Sequence, residues 1–242
     1  MSSSARRTRA RSSDADSSVP VRKSLGKFGS VRGVRVLTWN LKHGRAVPSA
    51  GRDLFDEFAA ALAGWPWDVA LLQEVPPWWP ERLPGSDRLV LTSRNWLLPL
   101  RRWVAERRPD LIKSNGGGAN AILVRGIEIS EHRVRRLTWL PERRWLHGVH
   151  AGGVWYANLH AAASEAQARQ AARTTLEWAG GSPVVLGGDF NLRSLDLPPF
   201  EVLASNRVDH VLARGLRRLS APQVLEHGHL SDHDPVLVEL VI

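Results

Sequence analysis

The feature that most constrains this chain is a set of short apolar runs that stop abruptly at polar residues. Residues 183–191 read PVVLGGDFN, in which an apolar run is followed by two glycines and then by Asp189 and Asn191. Asn40 ends one similar run and Glu74 ends another. Short apolar runs bounded by turn residues are typical of buried strands. We therefore expect sheets whose strand ends carry the chemistry, because function usually lies on the loops at such edges.

Three further segments follow the same pattern. His160 closes the run before a long predicted helix, Asp209 opens VDHVLA, and SDHD (231–234) precedes the last run. One such position alone more often marks a turn or a cap, but their recurrence favours a shared cleft. Carboxylates, amides and imidazoles suit a hard cation, Mg²⁺ or Mn²⁺, better than a soft metal.

Composition indicates a globular protein without disulfides. The 242 residues are 43% hydrophobic and 24% charged, which is ordinary for one α/β domain. The chain has no cysteine, which excludes disulfides and thiolate nucleophiles and favours a reducing cytoplasmic location. The apolar runs are far too short for a transmembrane helix.

The net charge of +9 is unevenly distributed. Residues 1–30 contain seven of the 33 Lys and Arg residues and two of the 24 acidic ones, in a Ser/Arg-rich segment without an apolar signal core. This segment is predicted to be a disordered basic tail. The remaining body, residues 31–242, is mildly basic, which fits a polyanionic partner such as DNA or RNA.

The periodicity of the body predicts many strands with a few helices between them. Residues 51–64 are predicted to be a helix, and so are residues 164–181, where Ser164 and Gln167 form a capping-box pattern before the final glycines. Strands are predicted at 34–40, 68–74, 119–126, 134–140, 143–151, 153–160, 183–191, 208–213, around 216–224 and at 235–242.

The region 75–118 is predicted to hold an amphipathic helix at 95–108. Its apolar residues Trp96, Leu100 and Trp103 are expected to face inward. Two interpretations stay open for three tryptophans of this region, Trp78, Trp79 and Trp96. They either form a lid and stack on bases, or they belong to the core. The arginines here either track a phosphate backbone or line a solvated helix face: Arg94, Arg101, Arg102, Arg107 and Arg108.

Six motifs in this order resemble those of the endonuclease/exonuclease/phosphatase superfamily. They are TWN (38–40), LLQE (71–74), NLH (158–160), GGDFN (187–191), VDHVL (208–212) and SDHDPV (231–236). The resemblance implies a deoxyribonuclease I-like α/β fold, a four-layer α/β/β/α sandwich of two mixed sheets flanked by helices. It also implies a magnesium-dependent phosphoesterase site at one end.

The resemblance also implies roles for individual residues. Glu74, assisted by Asn40, would hold the Mg²⁺ or Mn²⁺, and Asp232 resembles a second metal-side carboxylate. Asp189 would orient or deprotonate the attacking water, and Asn191 would hold water or a phosphate oxygen. The glycines of GGDFN are expected to let backbone and substrate approach closely.

The two histidine motifs carry the remaining implied roles. His233 would bind the phosphate and stabilise the transition state, with Asp209 orienting its ring. His160 matches the histidine version of its motif and is a candidate general acid, with no orienting carboxylate identified. A zinc site in HGHLSDH, from His227, His229 and His233, is the weaker alternative.

The function hypothesis is a Mg²⁺- or Mn²⁺-dependent phosphodiesterase, preferably a monomeric nuclease acting on DNA or RNA with a metal-activated water. One alternative is a phosphatase or phospholipid phosphodiesterase of the same superfamily. The other is a catalytically silent nucleic-acid-binding scaffold, which the intact motifs disfavour.

Overall fold

The computed structural model describes residues 33–92, 98–108, 111, 118–140 and 143–242. The tail predicted for residues 1–30 lies outside the described residues, as do Arg94 and Trp96. In chain order the described helices and strands are β1 (Val34–Asn40), α1 (Phe55–Gly64), β2 (Val69–Val75), β3 (Ser86–Leu91), α2 (Leu98–Arg107), β4 (Ala119–Val124), β5 (Ile129–Thr138), β6 (Arg144–Ala151), β7 (Val154–His160), α3 (Glu165–Ala179), β8 (Val184–Asp189), β9 (Glu201–Asn206), β10 (Asp209–Arg214), β11 (Arg217–Arg218), β12 (Gln223–Val224) and β13 (Val236–Val241).

These strands form two mixed sheets. Within the described part of the chain, the first sheet has seven strands in the order β11-β13-β1-β2-β4-β3, with β12 also paired to β13. The second has six, in the order β5-β6-β7-β8-β10-β9. β1 and β2 are parallel, and so are β7 and β8, whereas the other pairs are antiparallel.

Three apolar clusters separate four layers. One lies between the sheets and includes Leu71 and Val211. A second packs Phe58 and Leu62 of α1 against the first sheet, and a third packs the alanine-rich face of α3, including Ala171, against the second. The alternation of helix, sheet, sheet and helix confirms the predicted four-layer fold, since each sheet buries both faces.

Strand register brings the polar strand ends to one edge. β7 and β8 are aligned so that His160 lies opposite Asp189, and β10 runs back from that edge with Asp209 opposite Asp189. In the first sheet, β1 and β2 form a parallel pair, and Asn40 at the end of β1 lies opposite Gln73 near the end of β2. Parallel strands end together, which is why the polar residues of several motifs meet.

Most predicted elements are present, and the exceptions are edge strands. β3 and β9 were not predicted, because each lies at the edge of its sheet and its solvent-exposed residues interrupt the apolar run. The strand predicted around residues 216–224 is two short strands, β11 and β12, which pair with different parts of β13.

The prediction for residues 95–108 is right about the helix and wrong about its orientation. Leu100 and Trp103 are 57% and 53% exposed, so neither faces a core. The Arg107 guanidinium lies 4.5 Å from the centre of the Trp103 ring and covers the indole in place of core residues. Pro99 is the second residue of α2, where its missing N–H costs no hydrogen bond.

The paired tryptophans after β2 belong to the core. Trp79 is 2% exposed and packs on Phe55 and Phe58, and Trp78 is partly buried against the same cluster. Of the two interpretations, the lid is therefore wrong for these two residues. Among the described residues, no helix combines the length and apolar character that crossing a membrane requires.

Candidate active site

Asp189 ends β8 at the centre of the polar edge, where it is 1% exposed. Its Oδ2 accepts a hydrogen bond from Asn40 Nδ2 at 3.0 Å, and its Oδ1 accepts from the backbone N–H of Asn191 at 2.9 Å. His160 Nε2 lies 3.5 Å and His233 Nε2 lies 3.9 Å from Asp189 Oδ2. One carboxylate therefore joins four of the predicted site residues.

Burial raises the pKa of Asp189, and the negative charge of Glu74 adds to the shift. The neighbouring His233 and the hydrogen bonds from Asn191 and Asn40 act in the opposite direction without cancelling it. A carboxylate with a raised pKa is a stronger base, which suits the predicted role of deprotonating water.

The glycines before Asp189 serve packing between strands and sheets. A Cβ on Gly188, whose φ is 136°, would lie 2.0 Å from the carbonyl oxygen of Leu159 on β7. A Cβ on Gly187 would lie 2.7 Å from Leu71 of the opposite sheet. The close approach of backbone expected at these glycines is therefore present, whereas the space expected for substrate is occupied by protein atoms.

His233 and Asp209 form a preassembled pair. His233 Nδ1 lies 2.8 Å from Asp209 Oδ2. Burial opposes a charge on His233, but the hydrogen bond and charge of Asp209, with Asp189 and Asp232, raise the pKa of its imidazole to about 9. Burial raises the pKa of Asp209 to about 6. At neutral pH the pair is an imidazolium and a carboxylate.

The loop that carries His233 is held by hydrogen bonds to the first sheet. Ser231 Oγ donates to the carbonyl oxygen of Asn40 at 2.6 Å and accepts from the backbone N–H of His233 at 3.1 Å. Trp39 Nε1 donates to the carbonyl oxygen of His233 at 2.9 Å. Because these partners lie on β1 or next to it, the SDHD segment is fixed relative to Asn40.

Glu74 lies in a bulge between two imidazoles. The pairing of β2 with β4 shifts register between Leu72 and Val75, and Glu74 within this bulge has a φ of 50°. His43 Nε2 lies 3.1 Å from Glu74 Oε2, and His160 Nδ1 lies 3.7 Å from Glu74 Oε1. His160 therefore has a carboxylate beside each ring nitrogen, Glu74 on one side and Asp189 on the other.

Burial lowers the pKa of His160 well below its usual value, and the positive charges of Arg144, His43 and His233 add to the shift. In the free protein His160 is neutral at pH 7. A general acid role, predicted from the ordinary imidazole pKa, therefore needs the negative charge of a bound phosphodiester to favour the protonated form.

Asn40, Asp232 and Asn191 complete the predicted set. The Lys42 ammonium lies 2.6 Å from Asp232 Oδ2 and lowers the pKa of that carboxyl against the opposing effect of burial. The Lys42 backbone N–H donates to Asn40 Oδ1 at 2.9 Å. Asn191 Nδ2 donates to the carbonyl oxygen of Ala161 at 2.9 Å, so its side-chain oxygen remains for a ligand.

His43 and Lys42 were missed by sequence reasoning, although both directly follow the TWN motif. Both have a left-handed backbone conformation. Three other non-glycine residues around the site share it: Glu74, Asn191 and Ser231. Such conformations are strained for L residues and concentrate where side chains must be aimed at a site.

Asn158 serves the fold, although it belongs to the NLH motif. It is fully buried, and its Nδ2 donates to the carbonyl oxygens of Leu72 and Ala121, at 2.8 and 2.9 Å. Its Oδ1 accepts from Gln73 Nε2 at 2.8 Å. Asn158 thus joins the two sheets beside the bulge that presents Glu74.

The HGHLSDH segment does not assemble the alternative zinc site. His227 Nε2 lies 3.0 Å from Asp234 Oδ1, and its Nδ1 contacts the carbonyl oxygen of Leu230. His229 is exposed. Among the described residues, the one group of three acidic or histidine side chains with metal-compatible spacing is Asp189, Asp209 and His233, whose ligand atoms lie within 4.8 Å of one another.

The donor chemistry of the edge fits a hard divalent cation. Two carboxylates, those of Glu74 and Asp189, lie beside a single imidazole, and the negative charge of Glu74 raises the pKa of Asp189. Carboxylate and carboxamide oxygens are the ligands that Mg²⁺ and Mn²⁺ prefer. The buried Oδ1 of Asp209 has no hydrogen-bond partner among the described residues, so its capacity to accept a hydrogen bond is unused.

Solved structures of 14–20% sequence identity share this fold. An endonuclease/exonuclease/phosphatase from Beutenbergia cavernae aligns with a TM-score of 0.63 and 20% identity over 87% of this chain and 72% of that chain. TDP2 from Caenorhabditis elegans gives 0.61 and 14%, over 88% and 76%. A mannosyl-6-phosphatase from Bacteroides thetaiotaomicron gives 0.61 and 18%, over 86% and 100%.

No curated protein sequence shows significant similarity to the chain. The model of the endonuclease/exonuclease/phosphatase family, by contrast, matches residues 37–233 and so spans every strand-end motif up to His233. The match covers most of the chain, and the four-layer fold agrees with it. The chain therefore belongs to the endonuclease/exonuclease/phosphatase family.

Proposed function

We propose that the protein is a Mg²⁺- or Mn²⁺-dependent phosphodiester hydrolase, with a nuclease as the favoured type. Members of its family hydrolyse phosphoester bonds. The observation that carries the proposal is the alignment of His160, Asp189 and Asp209 on three neighbouring strands, with His233 paired to Asp209. This arrangement supplies a base, an anion-binding cation and a candidate acid within one cleft.

His233 binds the scissile phosphate in this proposal. Its Nδ1 is held by Asp209, which leaves Nε2 to donate to a non-bridging phosphate oxygen. Because the imidazole pKa is about 9, His233 carries a positive charge at neutral pH without help from the substrate. A fixed positive donor stabilises the additional negative charge of the pentacovalent transition state.

Asp189 positions the attacking water and takes its proton. Asn40 and the Asn191 backbone fix both carboxylate oxygens through hydrogen bonds, so the base is oriented before substrate arrives. The side-chain oxygen of Asn191 accepts a hydrogen bond from that water. Burial, which raises the Asp189 pKa, makes the proton transfer more favourable.

His160 donates a hydrogen bond to the leaving oxygen. Its ring lies between Glu74 and Asp189, so two carboxylates orient it. The neutral imidazole donates one N–H, and a bound phosphodiester anion favours the protonated form, which can release a proton to the leaving group.

Glu74 and Asn40, with Asp232 as a second carboxylate, would hold the divalent cation. When bound, this cation offsets the charge of the phosphate and activates the attacking water. Binding at Asp232 competes with the Lys42 ammonium, and binding at Glu74 competes with His43.

Nucleic acid is preferred over other phosphoesters because the body is mildly basic and the charge of Arg144 reaches the site. The alternative is a phosphatase or phospholipid diesterase. It is supported by the mannosyl-6-phosphatase among the proteins with this fold. We further propose that the protein acts as a monomer, and that it acts in the cytoplasm, a reducing compartment with which the absence of cysteine is consistent.

A panel of substrates tests the proposal. Plasmid DNA, single-stranded RNA, bis-p-nitrophenyl phosphate, p-nitrophenyl phosphate and sphingomyelin are each incubated with Mg²⁺, Mn²⁺ or EDTA. Metal-dependent cleavage of DNA or RNA supports the nuclease. Activity confined to the monoester or the lipid would replace it with the alternative, and no hydrolysis of any substrate would contradict the proposal.

A further inference from the structure

The end of the β5–β6 hairpin carries an exposed apolar and basic surface that the proposed chemistry does not use. Its described residues, called here the hairpin end, are the exposed Arg136, Trp139 and Leu140 and the partly buried Arg143 and Arg144. Trp139 is 52% exposed and Leu140 is 83% exposed. Large apolar side chains exposed side by side on a folded surface are typical of a binding site.

Two guanidinium groups lie against the exposed indole. The Arg136 Cζ is 3.8 Å and the Arg143 Cζ is 4.6 Å from the centre of the Trp139 ring. Such contacts hold the indole and both charges in one patch at the surface. Both guanidinium groups cover the indole, so a base that stacks on Trp139 displaces one of them, and the displaced cation can then contact a neighbouring phosphate.

Strand register places the hairpin end beside the catalytic edge. β6 begins at Arg144, and Leu146 pairs with Leu159, the residue that precedes His160 on β7. Thr138 of β5 lies opposite Arg144. The charge of Arg144 contributes to the lowered pKa of His160, which is consistent with this proximity. A chain passing through the cleft can therefore extend onto the hairpin end.

From these contacts we propose that the hairpin end binds single-stranded nucleic acid that flanks the scissile phosphate, with a base stacked on Trp139 and neighbouring phosphates on Arg136 and Arg143. The inference rests on the proposed function and narrows its substrate class. A base in a single strand has a free face for stacking, whereas a base within a duplex is already stacked on its neighbours. Positive charges at the hairpin end complement the phosphate backbone.

α2 offers a matched control. Trp103 is 53% exposed, and the Arg107 guanidinium lies 4.5 Å from its ring centre, so exposure and cation contact resemble those of Trp139. The two tryptophans differ in their position, because Trp139 directly follows the strand that pairs with β6 at the catalytic edge. If any surface tryptophan contributed to oligonucleotide binding, the substitutions Trp139→Ala and Trp103→Ala would weaken binding equally.

The test is the fluorescence anisotropy of a fluorescein-labelled oligothymidine, titrated with the full chain in EDTA over a range of salt concentrations. Trp139→Ala is expected to weaken binding roughly tenfold, since one base stack is removed, while Trp103→Ala stays within about twofold of wild type. The double substitution Arg136→Ala with Arg143→Ala is expected to reduce the salt slope by about 1.4, at roughly 0.7 for each phosphate that the protein no longer neutralises.

Three results would overturn the inference: no binding of the oligonucleotide by the wild type, binding by Trp139→Ala as tight as by the wild type, or an equal loss in Trp103→Ala. If Trp139→Ala instead lost binding to phosphatidylserine vesicles and still bound the oligonucleotide, the hairpin end would be a membrane-binding surface and the inference would be overturned. Hydrolysis of bis-p-nitrophenyl phosphate by the wild type separates the two proposals. Absence of this hydrolysis together with absence of DNA and RNA cleavage contradicts the proposed nuclease, whereas the anisotropy result decides the hairpin end.

Discussion

Polar residues of the same motifs lie in two regions, between the two sheets and at the polar edge, and their contacts differ between these regions. Between the sheets, Asn158 and Gln73 share a hydrogen bond and Asn158 donates two more, so this bridge is short and buried. At the edge, two residues beyond Asn158, His160 makes only longer contacts, of 3.5 and 3.7 Å, with two carboxylates. The difference separates residues whose hydrogen bonds hold the sheets together from residues whose side chains can still bind a ligand.

This comparison predicts different losses in the two regions. Substitutions at the edge should remove activity and leave the fold intact. Substitutions between the sheets should lower the free energy of unfolding first and affect activity through it.

Asp189→Asn is expected to have the largest effect. It keeps the shape of the side chain but removes the proposed base, so kcat for bis-p-nitrophenyl phosphate should fall roughly 10²- to 10⁴-fold. The melting temperature should not fall, because a buried negative charge is removed. The exposed Asp196→Asn is the control and should retain wild-type kcat. Wild-type turnover by Asp189→Asn would exclude Asp189 as the base.

Asn158→Ala is expected to affect stability most. It leaves two carbonyl oxygens and the Gln73 amide without their partner, at a cost of about 3 kcal/mol in the free energy of unfolding. Urea denaturation monitored by circular dichroism measures the loss. An unchanged denaturation midpoint would show that the bridge between the sheets is not the structural contact described above.

Glu74→Gln is expected to act through the metal. Loss of one carboxylate charge should raise the Mg²⁺ concentration for half-maximal activity by roughly ten- to a hundredfold, with kcat largely recovered at saturating Mg²⁺. Isothermal titration of Mg²⁺ without substrate provides a readout independent of turnover. Glu81→Gln, on the exposed surface, is the control. An unchanged Mg²⁺ affinity in Glu74→Gln would exclude Glu74 as a ligand.

Burial of His147 predicts a pH-dependent loss of stability between the sheets. Complete burial lowers its pKa from 6.5 to about 3, so the unfolded chain binds a proton below pH 6.5 and the folded protein does not. Stability should therefore fall by about 1.4 kcal/mol per pH unit between pH 6.5 and pH 3 from this residue alone. In His147→Gln the free energy of unfolding should fall less steeply with decreasing pH, by about 1.4 kcal/mol per pH unit compared with the wild type. Identical slopes in urea denaturation at several pH values would contradict the assignment.

The ordered motifs predicted the fold through their resemblance to the superfamily, and the position of polar residues at the ends of short apolar runs predicted that they share one edge. Asp189, Asp209 and His233 converge for this reason. His43 was missed because its contact with Glu74 depends on a left-handed backbone at both residues, which the sequence pattern does not reveal. Attention to every polar residue after a strand end would have included it.

Side-chain environment was the less predictable part. The sequence does not distinguish the environments of Asn158 and His160, which lie two residues apart on β7, because the partners that seal Asn158 belong to the other sheet. The helical spacing predicts Trp103 on the inward face, yet it lies at the surface with Arg107 over its ring. The sequence pattern predicts a strand through Trp139 and Leu140 and gives no sign of their exposure, which depends on where the strand leaves the sheet.

The most direct test of the central claim is hydrolysis of bis-p-nitrophenyl phosphate after treatment with EDTA and stepwise addition of Mg²⁺, in wild type and Asp189→Asn. We predict that EDTA abolishes wild-type activity, that Mg²⁺ restores it along a saturable curve, and that Asp189→Asn stays inactive at every concentration. Hydrolysis that persists in EDTA, or that Mg²⁺ restores equally in Asp189→Asn, would contradict a metal-dependent phosphodiesterase site at this edge.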